Sequence, residues 1–241
     1  MTAAITLGGH AEMSPRTKAR LTGAFYLATL LAAFVAEGLI SRRFVDYGNA
    51  AATATNILAN ESLFQLGFTM YLVEMACQIT MTVLFYELLK PVSRSASLLA
   101  LTFGLVGCTI KTMSRLFFVA PLLIIGSGAA FGDFTAAQGR SLALLFLGVN
   151  DHGAAIAMVF FGLNAMLKGW LILRSTFLPR ALGALSIIGG AGWVAFLSQP
   201  LGYRLFPYIA PLALLASLAT IVWLLVYGVN EQRWREQAAA R

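Results

Sequence analysis

Six polar side chains occupy stretches that are otherwise strongly apolar: Glu74, Gln78, Lys111, Arg115, Asp151 and His152. Two acids, two bases, an amide and an imidazole could pair with one another, move a proton or bind a charged solute. An ionisable group inside an apolar membrane helix costs about 2.5–3.5 kcal/mol on insertion scales, so such groups are the first pointers to a site. Tyr71, Glu74, Gln78 and Thr82 recur at spacings of three and four, which makes one polar stripe on a helix. Lys111 and Arg115 share a face one turn from Cys108. Asp151 and His152 are neighbours, so they point about 100° apart on a helix with 3.6 residues per turn. Asn150, just before them, points nearly opposite and is expected to make an interhelical hydrogen bond. Gly148 and Ala155 flank the pair and would let another helix's side chain reach in.

Helical rise sets the depth of each group. Glu74 lies about 20 Å along its helix from Glu61 and about 24 Å from Lys90, close to mid-span. Asp151 lies about 16 Å from Arg140 and about 35 Å from Arg174, in the half nearer Arg140. Lys111 and Arg115 fall between the middle and that same end, so the four charges share one slab. Glu37 sits near the outer end of the first apolar run. Lys168 is one turn from the inner boundary and is expected to snorkel to it. Two acids and two bases sum to zero, which allows pure structural pairing of Glu74 and Asp151 with Lys111 and Arg115. The other reading is a polar cavity opening outward. It is adopted here because ionisable groups inside a membrane default to function.

No metal or cofactor is expected. His152 is the only histidine in an apolar run, His10 being in the polar N-terminal segment, so one chain cannot supply two axial histidines to a haem. His152, Asp151, Glu74 and Cys77 could be drawn together as zinc ligands, but no paired ligand spacing supports it. No nucleophile elbow, phosphate loop or dinucleotide fingerprint occurs, so the chain is not read as an enzyme. "GLVGCT" and "IIGGAG" lie within apolar runs and are read as helix-contact glycines. Cys77 and Cys108 are read as small buried residues.

The elements that must hold these groups follow from composition. The chain has 241 residues, 59% hydrophobic and 11% charged, against about 25% charged in soluble domains. Mean hydropathy is +0.79. Apolar runs reach the ~20 residues a helix needs to cross a bilayer. The expected fold is all-α, a polytopic membrane bundle of six transmembrane helices in one domain, residues 17–237. The spans are expected at 21–40, 63–89, 98–125, 142–173, 182–197 and 208–229, with a polar disordered lead over 1–16 and a tail over 238–241. Pro121 and Pro211 lie inside spans and should kink them. Ala24, Ala28, Ala32 and Ala36 form a small-residue stripe for close helix packing. The segment from Arg42 to Glu61 should form a short helix at the outer interface.

Net charge is +7, but the bases are scattered at helix ends rather than in an aromatic-interleaved stripe, which excludes a nucleic-acid partner. With the N-terminus inside, ten bases face the cytoplasm (Arg16, Lys18, Arg20, Lys90, Arg94, Arg174, Arg180, Arg233, Arg235, Arg241) and four face out (Arg42, Arg43, Arg140, Arg204). The positive-inside rule then puts both termini in the cytoplasm.

Several stretches carry a family likeness: "TNILANESLF", "FYELLKPVSRSASLLAL", "FGLVGCTIKTMSRLFFVAPLL", "VFFGLNAMLKGWLILRSTFLPRALGAL" and "FPYIAPLALL" with "GVNEQRW". From about Thr17 to Gln237 the chain resembles the bacterial membrane family known as domain of unknown function 4386. The resemblance implies a multi-pass protein of a bacterial plasma membrane and assigns no residue a role. The expected function is binding or transport of a small solute, with proton coupling among its forms. The alternatives are an accessory subunit of a membrane complex and an intramembrane enzyme acting on a lipid or quinone through Glu74 or His152. The expected partners are the lipid bilayer and either a second copy or another membrane protein.

Overall fold

A computed structural model describes residues 13–126 and 135–240. The expected lead therefore lies outside the described residues up to position 12, while Pro15 and Arg16 are already helical. Among the described residues there are eight helices and no strand. Six are long and apolar enough to cross a membrane: α1 (Pro15–Phe44), α3 (Glu61–Leu89), α4 (Arg94–Gly126), α5 (Ala136–Arg174), α6 (Arg180–Leu197) and α7 (Gln199–Val226). The chain is a multi-pass, all-helical membrane protein. Two short helices complete it, α2 (Ala50–Ala59) and α8 (Glu231–Ala239).

Local chemistry sets the ends. Ser14 caps α1 by accepting a hydrogen bond from the Thr17 amide, and Pro15 follows where its missing N–H costs nothing. Asn49 caps α2, the helix expected between the first two spans. Thr135 and Gln138 form a reciprocal capping box at the start of α5. α7 ends at Gly228, whose φ of 68° lets its amide turn back to the Trp223 carbonyl. α7 starts at Gln199, well before the expected 208. Arg204, Pro200 and Pro207 give that stretch the look of a loop, but Pro200 falls in the first helical turn and Pro207, like Pro211, sits within the continuing helix. Pro121 likewise lies within an unbroken α4.

The six spans form a ring. Each packs against the next in sequence, and α7 returns to α1. α2 lies across α4 and α5 at the end away from the termini, here called the far end. Large apolar side chains such as Leu31, Leu123, Leu145 and Leu215 point outward, as a lipid-facing surface requires. Two apolar cores seal the ring. The far-end core holds Ile40, Phe64, Tyr71, Phe118 and Leu147. The terminal-end core holds Met81, Phe85, Leu88, Leu171 and Leu224. On α3 the residues between these cores include Glu74 and Gln78.

Glycine brings α5 and α6 together. A Cβ at Gly162 would sit 2.7 Å from the Gly190 carbonyl oxygen, and one at Gly169 would sit 2.6 Å from that of Gly183; both relations are reciprocal. The pairs are seven residues apart on each helix, so they fall on one seam. The alanine stripe expected on α1 is buried only at Ala32 and Ala36; Ala24 is exposed. Thr22, Gly23 and Thr29 carry the buried face lower down, where Gly23 meets Leu224 and Leu225 of α7.

Candidate functional site

Between the two cores lies a cavity of about 180 Å³ whose wall takes residues from all six spans, among them Tyr26, Glu74, Gln78, Lys111, Asn164, Lys168, Ser186 and Ser217. Glu74 and Lys111 meet across α3 and α4, where Lys111 Nζ donates to Glu74 Oε1 at 2.5 Å. They are 4% and 8% exposed, so the pair is removed from bulk water. Glu74 Oε2 is buried and has no hydrogen-bond partner. An unsatisfied buried carboxylate oxygen is costly, and it marks the place where a proton or a donor group would be accepted.

Lys168 was expected to snorkel and does not. It is 5% exposed and lines the cavity, its ammonium 4.3 Å from the Phe85 ring centre and 5.1 Å from that of Tyr26. Among the described residues it has no carboxylate within ion-pair distance. Tyr26 is fixed by a 2.7 Å hydrogen bond between its hydroxyl and that of Ser217 on α7. Gln78 contributes its side chain to the wall between Glu74 and Met81.

Arg115 belongs to a second polar layer, one turn nearer the far end. It is 2% exposed, its guanidinium lies 3.6 Å over the Tyr71 ring, and its Nη1 donates to Asn150 Oδ1 at 2.9 Å. Its Nε has no partner. Asp151, placed by the sequence at the depth of both bases, makes no ion pair with Arg115. Asn150 stands between them, its Nδ2 donating to Asp151 Oδ1 at 3.0 Å. Asp151 Oδ2 accepts from the Tyr47 hydroxyl at 2.5 Å. Glu37 accepts from the Tyr71 hydroxyl, also at 2.5 Å. Arg115 thus sits between two carboxylates and is linked to each through a neutral side chain. Tyr47 lies in the loop before α2; burial, and then the neighbouring Asp151 carboxylate, push its hydroxyl well above the ordinary tyrosine value.

Glu37 owes its position to a π-helical segment, Phe34–Ser41, in which the backbone of α1 widens. Such segments recur at functional sites. His152 is not brought to either layer. It is exposed, its Nδ1 pairs with the Gly148 carbonyl of its own helix at 2.8 Å, and it lines a shallow outer groove with Ala50, Leu144 and Leu145. The zinc set drawn from His152, Asp151, Glu74 and Cys77 is not assembled either. Among the described residues no three His, Cys, Asp or Glu side chains converge as metal ligands.

The six expected residues therefore divide three ways: Glu74, Gln78 and Lys111 in the cavity, Arg115 and Asp151 in the layer beyond it, and His152 at the periphery. Sequence reasoning missed Lys168 and Tyr26 in the cavity, and Tyr47 in the outer layer. Tyr71 was on the stripe, but its role over Arg115 was not foreseen.

Among curated proteins the chain is similar to an uncharacterised protein of Archaeoglobus fulgidus, 29% identical over 116 residues. That match covers 48% of this chain and 56% of the relative, so the chain spans about half the relative's length. No solved structure matches. The family model for the domain of unknown function DUF4386 matches residues 21–228, most of the chain and all six spans in whole or large part, and the chain belongs to that family.

Proposed function

We propose that this protein binds a small solute in the central cavity and carries it across a bacterial plasma membrane, with a proton on Glu74 coupled to the movement. The observation that carries the proposal is Glu74 itself: a buried carboxylate on the wall of a cavity lined by all six spans, with one oxygen on Lys111 and the other unpartnered. Protonation there would loosen the bond to Lys111 and free that ammonium. A change of charge at one wall is a physical means of biasing two arrangements of the ring. The Arg115 layer then acts as the closure between the cavity and the far end. The plasma membrane and cytoplasmic termini are argued from the excess of bases at the terminal end; the bacterial setting comes from the family resemblance.

Proteoliposomes loaded with a pH-sensitive dye test the reading. Under an imposed pH gradient, wild-type protein is expected to move protons, and Glu74→Gln to abolish that movement while expressing and folding normally. Arg115→Gln is expected to do the same. Absence of flux in the wild type, or loss of folded protein in both variants, overturns the proposal and favours a charge pair that only holds the bundle together.

A further inference from the structure

We propose that Lys168 is the anion-binding residue of the cavity and that the solute carries a carboxylate on a short apolar body. The inference rests on the cavity being a solute site. Lys168 is buried on the cavity wall with two aromatic rings beside its ammonium. Rings cannot replace the hydration a buried ammonium has lost; a charged partner does. Among the described residues no carboxylate lies within ion-pair distance of it. The only acid on the cavity wall is Glu74, already held by Lys111 and separated from Phe85 by about 16 Å of helical rise along α3. Glu87, two residues beyond Phe85, is engaged by Lys18 and Lys90. The cavity thus carries two ammonium groups against one carboxylate, and the surplus cation faces the space. Between the polar groups the wall carries an apolar stretch from Met81, Met158, Phe161 and Trp193, and the volume of about 180 Å³ suits a small molecule. An ammonium beside an apolar stretch of wall selects an anionic head on a short apolar body.

Thermal unfolding of the purified full-length protein in detergent tests this with butyrate and benzoate against butyramide and benzamide. The carboxylates are expected to raise the melting temperature saturably and the amides to leave it unchanged, by the linkage between binding and stability. Lys168→Met is expected to weaken carboxylate binding at least tenfold, and Lys168→Arg to retain it in part. Without ligand, Lys168→Met is expected to melt no lower than wild type, because it removes an uncompensated buried charge; this also shows that the variant folds. Equal shifts with acids and amides, no shift with any carboxylate, or an undiminished shift in Lys168→Met overturns the assignment. Octanoate and palmitate separate two sources of the same chemistry: affinity that rises with chain length points to the bilayer, and a preference for butyrate points to water. Glu74-dependent proton flux without any carboxylate shift removes the anion site and leaves the transport reading. A Lys168-dependent shift without flux does the reverse.

Discussion

At the scale of the residue, the decisive fact is that Arg115 is buried without touching an acid. Its charge is balanced at one remove, through Asn150 to Asp151 and over Tyr71 to Glu37. Such a network resists piecemeal removal. Arg115→Met leaves the Asn150 amide oxygen unmatched, and Asn150→Leu leaves the guanidinium short of a partner, each at an expected cost on the order of 1–3 kcal/mol. The double variant is expected to cost less than the sum, because neither orphan remains. A double-mutant cycle on thermal stability measures this; strict additivity would show that the contact carries no energy. The same residues show what the sequence could reveal. That the two acids and two bases share one slab was legible from helical rise, but not which acid meets which base. That Asn150 would bridge Arg115 to Asp151 was not, because it is the immediate neighbour of Asp151 and had been assigned to the opposite face. His152 was lost by the 100° that separates adjacent residues on a helix. Lys168 was misplaced because depth alone does not say whether a lysine's face meets lipid headgroups or a cavity.

At the scale of the element, α5 and α6 approach to backbone contact along a glycine seam. Gly162, Gly169, Gly183 and Gly190 leave no room for a methyl group, since the obstacle at each is backbone. Gly183→Leu is therefore expected to abolish accumulation of folded protein, because two helices would have to separate. Gly148→Ala is the matched control. No atom lies within 4 Å of a Cβ built at that position, so the change is expected to be neutral or slightly stabilising. Size-exclusion profiles in detergent compare them, and a monodisperse Gly183→Leu would show that the seam is not required. Of these four only Gly190, within "IIGGAG", was read from the sequence as a helix-contact glycine. Their pairing across two helices was not, because it depends on the antiparallel register of α5 and α6. The number of spans was legible because five apolar runs reach about 20 residues or more and a shorter, glycine-rich run at 182–197 continues the pattern. The start of α7 was not, because prolines and an arginine mimic a loop. Nor was the π-helical segment around Glu37, which no periodicity in α1 announces.

At the scale of the whole molecule, six spans in an up-and-down ring put both ends of the chain on one side. α8 is anchored there: the Trp234 indole donates to the Leu88 carbonyl at 2.8 Å, and Gln237 bonds the loop after α5. Glu37, Asp151 and Tyr203 gather toward the other end, where Tyr47 and α2 lie. Which end meets the cytoplasm decides which side a solute would enter through the Arg115 layer. The bases at the terminal end outnumber those at the far end, and the positive-inside rule turns that excess into an orientation. Single cysteines read it directly. In a background with Cys77 and Cys108 replaced by serine, Ala51→Cys on α2 and Gln232→Cys on α8 place one thiol at each end, both at exposed positions. A membrane-impermeant maleimide is expected to label Ala51→Cys in intact cells and Gln232→Cys only after permeabilisation. The reverse pattern would invert the molecule and turn the Arg115 layer into a cytoplasmic closure. Labelling of both positions in intact cells would break the even number of crossings, and with it the ring that builds the cavity.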